Sequence, residues 1–227
     1  MMYGMQSASF LATHELVPDY PSKVASMLKS GEVDVALVPV ALLPELPHYH
    51  IVSDYCIASD VEVASVCLFS EVPVEEVTTV YLDYQSRTSV NLARILLKEY
   101  WKKDVEIEHA QEDYRHRIKG TTAAVVIGDR ALAQHQVSPY YYDLSLAWQQ
   151  YTGLPFVFAA WVANKPIPTE FMEAFDKANA YGLSHLEEVI AGIPIAEQVY
   201  DLHKYYTENI SYELTPEKKE WMQLFLE

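Results

Sequence analysis

Basic residues are scarce. The 227-residue chain has 16 Lys+Arg against 32 Asp+Glu, a formal net charge of −16. Such a surface repels phosphates, which argues against broad nucleic-acid or anionic-membrane binding. It leaves room for a small anionic ligand, which feels the local field of a cleft. Cysteine is scarcer still. Cys56 and Cys67 are the only two, each inside an apolar run. No CxxC or Cys/His cluster supports a metal site, and buried reduced thiols are expected. Long apolar runs are missing as well. None reaches the ~18–20 residues that span a bilayer. Residues 1–12 lack both the basic and the apolar segment of a signal peptide, so a soluble, cytoplasmic protein is expected. GxGxxG, the P-loop, the nucleophile elbow and a Ser-His-Asp order are also absent. This argues against dinucleotide binding, kinase chemistry and covalent hydrolysis.

What is present is an ordinary globular balance, half apolar and 21% charged. The length allows one large domain or two small lobes. Val24, Met27 and Leu28 stand at helical spacing over 21–29, and Ser30-Gly31 stops that helix. Strands are expected at 33–40, 61–70, 77–83, 105–109, 121–127 and 156–162. Val90, Ala93, Leu96, Leu97 and Tyr100 form a helical stripe. A polar helix is expected at 111–118 and another helix at 143–151, ending at Gly153. Residues 169–227 read as mostly helical. Strands alternating with helices point to α/β architecture with parallel sheets. The expected layout is a first lobe of 1–71 and 160–227 and a second of 72–159. A central cleft of the kind that holds small ligands separates them.

The most informative local run is Leu82-Asp83-Tyr84-Gln85-Ser86-Arg87-Thr88-Ser89. A strand ends and hydroxyls gather where a helix begins. Ser86 suits the N-cap, and the first turn leaves backbone N–H groups for an anion. Thr88 and Ser89 add donors, and Arg87 adds a fork for a carboxylate. An ordinary capped helix with a surface arginine fits the same spacing. Ile127-Gly128-Asp129 is a second strand-to-helix switch. There Gly128 admits a close backbone approach and Asp129 can cap the helix or accept from a ligand hydroxyl. Ser59, Asp60 and Ser65 can contribute polar groups from the first lobe, or simply make turns. Gly153, Leu154 and Phe156 can wall a pocket for a planar ring, or form a core strand. His48-x-His50 reads as a loop. Tyr140-Tyr141-Tyr142 reads as a surface loop or lobe interface.

Taken in order, several segments resemble one family: Ser59-Asp60-x-Glu62-Val63-x-Ser65-Val66-x-Leu68-Phe69-Ser70, then Ser86-Arg87-Thr88-Ser89 and Ile127-Gly128-Asp129-x-Ala131-Leu132. Asp143-Leu144, Trp148 and Thr152-Gly153-Leu154-Pro155-Phe156-Val157-Phe158-Ala159 follow. Residues 31–39 and 206–212 fit too. Together these are similar to the chorismate dehydratases of the futalosine branch of menaquinone biosynthesis. The sister dihydroxynaphthoate synthases differ in motifs, and the Ser-Arg-Thr-Ser run favours the dehydratases. The resemblance implies a two-lobed fold like type 2 periplasmic binding proteins. It also implies dehydration of chorismate to 3-[(1-carboxyvinyl)oxy]benzoate without metal or cofactor. It makes Ser86 and Asp129 the catalytic candidates. Ser59, Asp60, Ser65, Ser86, Arg87, Thr88, Ser89, Gly128, Asp129, Gly153, Leu154 and Phe156 become the substrate-binding set. The partner expected is a small anionic substrate, chorismate, with no nucleic acid and no membrane; a homodimer is left open. Two departures stand out. The family's leading strand and its Ser-Tyr-Leu-Asn-type segment are not seen ahead of Met2-Tyr3-Gly4-Met5. Val61 takes a place where glycine is common, and is strained there if that backbone needs a positive φ. A non-catalytic binding protein for a small aromatic carboxylate, or a truncated inactive form, are the alternatives.

Overall fold

The computed structural model describes residues 1–6, 12–194 and 199–227. Two sheets carry the fold. The first has the order β1 (Val35–Pro39), β8 (Phe156–Ala163), β2 (His50–Ser59), β9 (Ser211–Glu213), with β1 and β9 at its edges. The second has the order β5 (Glu106–His109), β4 (Thr79–Leu82), β6 (Thr122–Ile127), β3 (Val66–Ser70), β7 (Tyr140–Asp143).

The expected parallel sheets are only partly found. Every neighbour pair of the first sheet is antiparallel. In the second, β4 runs parallel to β5 and β6, and β3 antiparallel to β6 and β7. The reason is topological. A strand–helix–strand crossover gives parallel neighbours only when the chain returns to the same sheet. Here the chain leaves one sheet for the other after β2 and again before β8. Two strands bear on the expected lobe layout. Val66–Ser70, placed in the first lobe, pairs in the second sheet. Phe156–Ala163, divided equally by the expected boundary, pairs wholly in the first.

The helices cover the sheet faces. Helix α1 (Met2–Met5) packs with α6 (Thr169–Ser184) on one face of the first sheet, over Val52, Trp161 and Ala163. Helices α2 (Pro21–Ser30) and α9 (Pro216–Leu226) cover the other face with the 3-10 turn Val40–Glu45, burying Leu28, Val38, Leu42 and Met222. Gly31 ends α2 at φ 79, as its position predicts. On the second sheet, α3 (Arg87–Ile95) continues into a π-helical turn, Leu96–Tyr100, and packs with α5 (Leu144–Thr152). Helix α4 (Asp129–Gln134) lies over the opposite face with Tyr114 and Ile118. Short helices α7 (Leu186–Ala191) and α8 (Leu202–Lys204) follow α6; α8 runs into a second π-helical turn, Tyr205–Asn209. Phe156 and Phe158 of the first sheet join the apolar core of the second, so hydrophobic packing runs across the boundary.

Several elements differ from expectation. Strand β2 is ten residues long. Register shifts between Ile51 and Cys56 and between Ile57 and Ala58 break its period of two, so alternation does not reveal it. The three tyrosines of β7 form an edge strand rather than a loop. The polar helix at 111–118 reduces to one 3-10 turn, Arg115–Arg117. Val61 is 53% exposed and is not in the left-handed region. Ala64, at φ 60, takes that conformation instead.

Gly4 sits where α1 crosses α6. A Cβ there would meet the Ala178 carbonyl oxygen at 1.8 Å. Gly4→Ala is expected to push α1 off α6, uncover Met5 and cost about 3 kcal/mol, read as a lower denaturation midpoint. An unchanged midpoint would contradict this crossing.

Candidate functional site

Parallel strands β4 and β6 are neighbours, so the turns at their C-terminal ends lie side by side. Antiparallel β3 pairs Val66 with Ile127, which brings Ser65 to the same end. Crevices outside the carboxyl ends of such strands are where open α/β sheets bind ligands.

At the first turn, Ser86 caps α3. Its Oγ accepts from the Ser89 N–H at 3.1 Å and donates to Ser89 Oγ at 2.9 Å. Ser89 thereby keeps its own hydroxyl proton for another acceptor. Thr88 Oγ1 accepts from the Ala41 N–H at 3.2 Å, so its proton is also free to point elsewhere. Arg87 is not an idle fork. Its Nη1 donates to Glu45 Oε1 at 2.8 Å, and Lys29 holds the other Glu45 oxygen at 2.8 Å. These contacts, with Lys29 first, keep the Glu45 carboxyl below the usual carboxylate range. Ala41 and Glu45 both belong to the turn after β1. A first-sheet turn thus sits directly on the α3 N-terminus.

At the second turn, Gly128 has φ 64 and ψ −149, a conformation left to glycine. Its N–H donates to the Ser65 carbonyl at 2.8 Å. Asp129 is exposed in the first turn of α4, which has only six residues. A short helix fronted by a carboxylate is a poor seat for an anion, so the candidate seat for one is the N-terminus of α3.

Residues unmarked by local motif tie the turns together. Asp83 Oδ2 accepts from Arg130 Nη2 at 2.7 Å and from the Tyr114 hydroxyl at 2.6 Å. Its Oδ1 accepts from the Gln85 N–H at 2.6 Å. Arg130 Nη2 also donates to Gln85 Oε1 at 2.8 Å, and its guanidinium lies 5.2 Å from the Tyr84 ring centroid. On the other side, the Tyr205 hydroxyl donates to Ser65 Oγ at 3.0 Å. Burial pushes the Tyr205 phenol up to about 12, so it stays a proton donor. Burial also raises Tyr206, and the Asp129 charge adds to that.

The structure therefore gathers Ser65, Ser86, Arg87, Thr88, Ser89, Gly128 and Asp129 around one strand end. The others go elsewhere. Ser59 is buried at the end of β2, its Oγ without a partner among the described residues. Asp60 turns to Lys218 at 3.0 Å. Gly153 caps α5 at φ 79, and the Leu154 N–H donates to Thr152 Oγ1 at 3.2 Å. Phe156 packs edge-on to Trp148, Phe158 and Phe225 at 5.5, 4.8 and 4.9 Å, which makes it core rather than a pocket wall.

The menaquinone biosynthesis family model matches residues 1–227. The chain belongs to that family. A curated relative, the chorismate dehydratase of Thermus thermophilus, is 29% identical over 195 residues, covering 74% of this chain and 69% of that protein. Among solved structures, a protein from Archaeoglobus fulgidus aligns with TM-score 0.66 at 12% identity, over 93% of this chain and 83% of that one. The periplasmic aliphatic sulphonate binding protein of Escherichia coli aligns with TM-score 0.57 at 14% identity, over 91% and 77%. At those identities the likeness is one of fold: this menaquinone biosynthesis family member has the α/β architecture of two-lobed binding proteins. Among the described residues no helix is long and apolar enough to cross a membrane.

Proposed function

We propose that this member of the menaquinone biosynthesis family dehydrates chorismate to 3-[(1-carboxyvinyl)oxy]benzoate, as a cytoplasmic lyase of the futalosine branch. The observation that carries this reading is the joined pair of strand-to-helix turns, tied by Arg130 to Asp83 and Gln85, in a chain that matches the family throughout. The dehydratase relative supplies the reaction.

The chemistry asks little of the protein beyond positioning. Chorismate loses the C3 proton and the C4 hydroxyl as one water. The ring becomes aromatic, so the driving force lies in the substrate and no cofactor is required. The first-turn amides of α3, the Ser89 and Thr88 hydroxyls and Arg87 would hold one carboxylate. Asp129 would hydrogen-bond the departing hydroxyl, and Tyr205, through Ser65, would fix that side of the site. Incubation with chorismate, followed by chromatography, should show its loss matched by the aromatic ether. Unchanged chorismate rejects the reaction; tight binding without turnover makes the chain a carboxylate-binding module instead.

Glu45 competes for the same guanidinium. Glu45→Gln should therefore lower KM for chorismate by about threefold, the scale of one exposed ion pair. Arg87→Ala should raise KM by about tenfold. Equal KM values in all three proteins would remove Arg87 from the substrate site.

A further inference from the structure

A cavity of about 660 Å³ opens beyond the β9 edge of the first sheet, between α6 and α9. Of the residues expected to bind substrate, only Asp60 lines it. Tyr55, Tyr212 and Trp221 give it aromatic walls, and Leu183 of α6 adds an aliphatic one. That size and lining suit a small flat ligand.

Lys218 decides the chemistry. It lines the cavity from the first turn of α9, yet only 7% of its side chain is exposed. A buried ammonium must be compensated. Its Nζ donates to Ser211 Oγ and meets Asp60 Oδ1 at 3.0 Å. An ammonium has three N–H donors, so one remains for a ligand. Asp60 is the weaker partner, because 58% of its side chain is in water. An ion pair of that kind is screened and exchanges readily. Glu213 also lines the cavity and is exposed. The buried positive charge is the less screened, and a ligand anion beside it gains more than a cation beside the carboxylates.

We propose that this cavity is a second ligand site, separate from the Ser86–Gly128 region, that takes a small aromatic carboxylate. The ring lies against Tyr212 and Trp221, and the carboxylate takes Lys218 Nζ in place of Asp60. Asp60 and Pro155 line it, and they belong to the two stretches where the chain passes between the sheets; Ile210 beside them is part of the apolar core of the second sheet. A ligand there touches the joints of the fold.

Trp221 is the reporter. Its indole N–H resonance, assigned by its loss in Trp221→Phe, is followed while benzoate, benzamide or benzylamine is added to the full chain. Benzoate should move it saturably, benzamide about tenfold more weakly, and benzylamine not at all. Asp60→Asn removes the internal competitor and should tighten benzoate by about threefold. Lys218→Met should abolish the response. Because that change empties a buried ion pair and endangers folding, Asp60→Asn carries the decision. The proposal is overturned by a still resonance with benzoate, by equal response to benzamide, by preference for benzylamine, or by unchanged or weaker benzoate binding in Asp60→Asn. Ser86→Ala separates the two sites. It should leave the Trp221 titration unchanged whether or not the protein turns over chorismate; loss of the shift in that variant would assign the signal to the other site.

Discussion

Asp83→Ala should cost the protein its turnover and about 3 kcal/mol of folding stability. The side chain is 0% exposed, and its partner Arg130 is 20% exposed. Alanine takes the carboxylate from two donors, the Arg130 guanidinium and the Gln85 N–H, while the Tyr114 hydroxyl falls back on the Val125 carbonyl. Removing one member of a buried pair leaves the other charge uncompensated, which is worth more than the bond itself. Partial exposure of Arg130 and its remaining bond to Gln85 keep the loss at the lower end of the usual range. The effect on function follows from geometry. Asp83 and Arg130 join the turn that carries Ser86 to the turn that carries Asp129, and a shift of about 1 Å between them should lower kcat/KM about 100-fold. Asp83→Asn keeps one acceptor oxygen and should fall between the wild type and alanine. Denaturant unfolding and chorismate kinetics measure both quantities. A variant within 1 kcal/mol of wild type, or one with intact kcat/KM, would show that the network does not hold the site together.

Asp143→Ala should be more damaging to stability, by about 4 kcal/mol. Oδ1 accepts from the Ser145 and Leu146 N–H groups at 2.9 and 3.0 Å, capping α5. Oδ2 accepts from the Val63 and Ala64 N–H groups at 3.0 and 2.6 Å. One carboxylate thus serves a helix start and the stretch where the chain passes from β2 to β3. The cap alone is worth ~1–2 kcal/mol. Two further buried N–H groups left without acceptors add ~1–3 kcal/mol each, with incomplete additivity. Ala64 adds a reason for sensitivity: at φ 60 it holds a conformation that alanine adopts at a cost, and the Asp143 bond helps keep it there. The melting temperature should fall by about 8–16 °C. Asn offers one acceptor oxygen and turns an amide toward two N–H donors, so Asp143→Asn should recover only part of the loss. A change below 1 kcal/mol for Asp143→Ala would mean that water replaces the carboxylate at little cost.

Much of the fold was legible because its signals are local. The Ser86 cap, the helix start at Asp143, and the glycines 31, 128 and 153 at positive φ are set by residues within one turn of themselves. Strands β3, β4 and β6 announce themselves as apolar runs because both faces of the second sheet are covered. Strand β2 stayed hidden because its bulges scramble the alternation, and β7 because tyrosine is equally at home in a surface loop. In the candidate site, both strand-to-helix turns were visible. Their connectors were not. Asp83 reads as the last residue of a strand, and Arg130 occupies the unspecified place in Gly128-Asp129-x-Ala131-Leu132. Tyr205 lies 140 residues from its partner Ser65. Glu45 carries no mark of the ion pair that occupies Arg87.

The sequence by itself therefore determined the local elements and, through an ordered set of motifs, the family. Its shortage of basic residues says little about the two proposed sites, each of which turns on a single cation held in place, Arg87 or Lys218, rather than on the net charge. Tertiary structure alone decided which sheet each strand joined, that Arg87 is held by Glu45, and that Asp60 faces Lys218 rather than the helix ends. The physical reason is range. Caps and periodicity are fixed by bonds spanning a few residues. A buried charge finds its partner only after distant segments have packed, at a distance along the chain that no local pattern records.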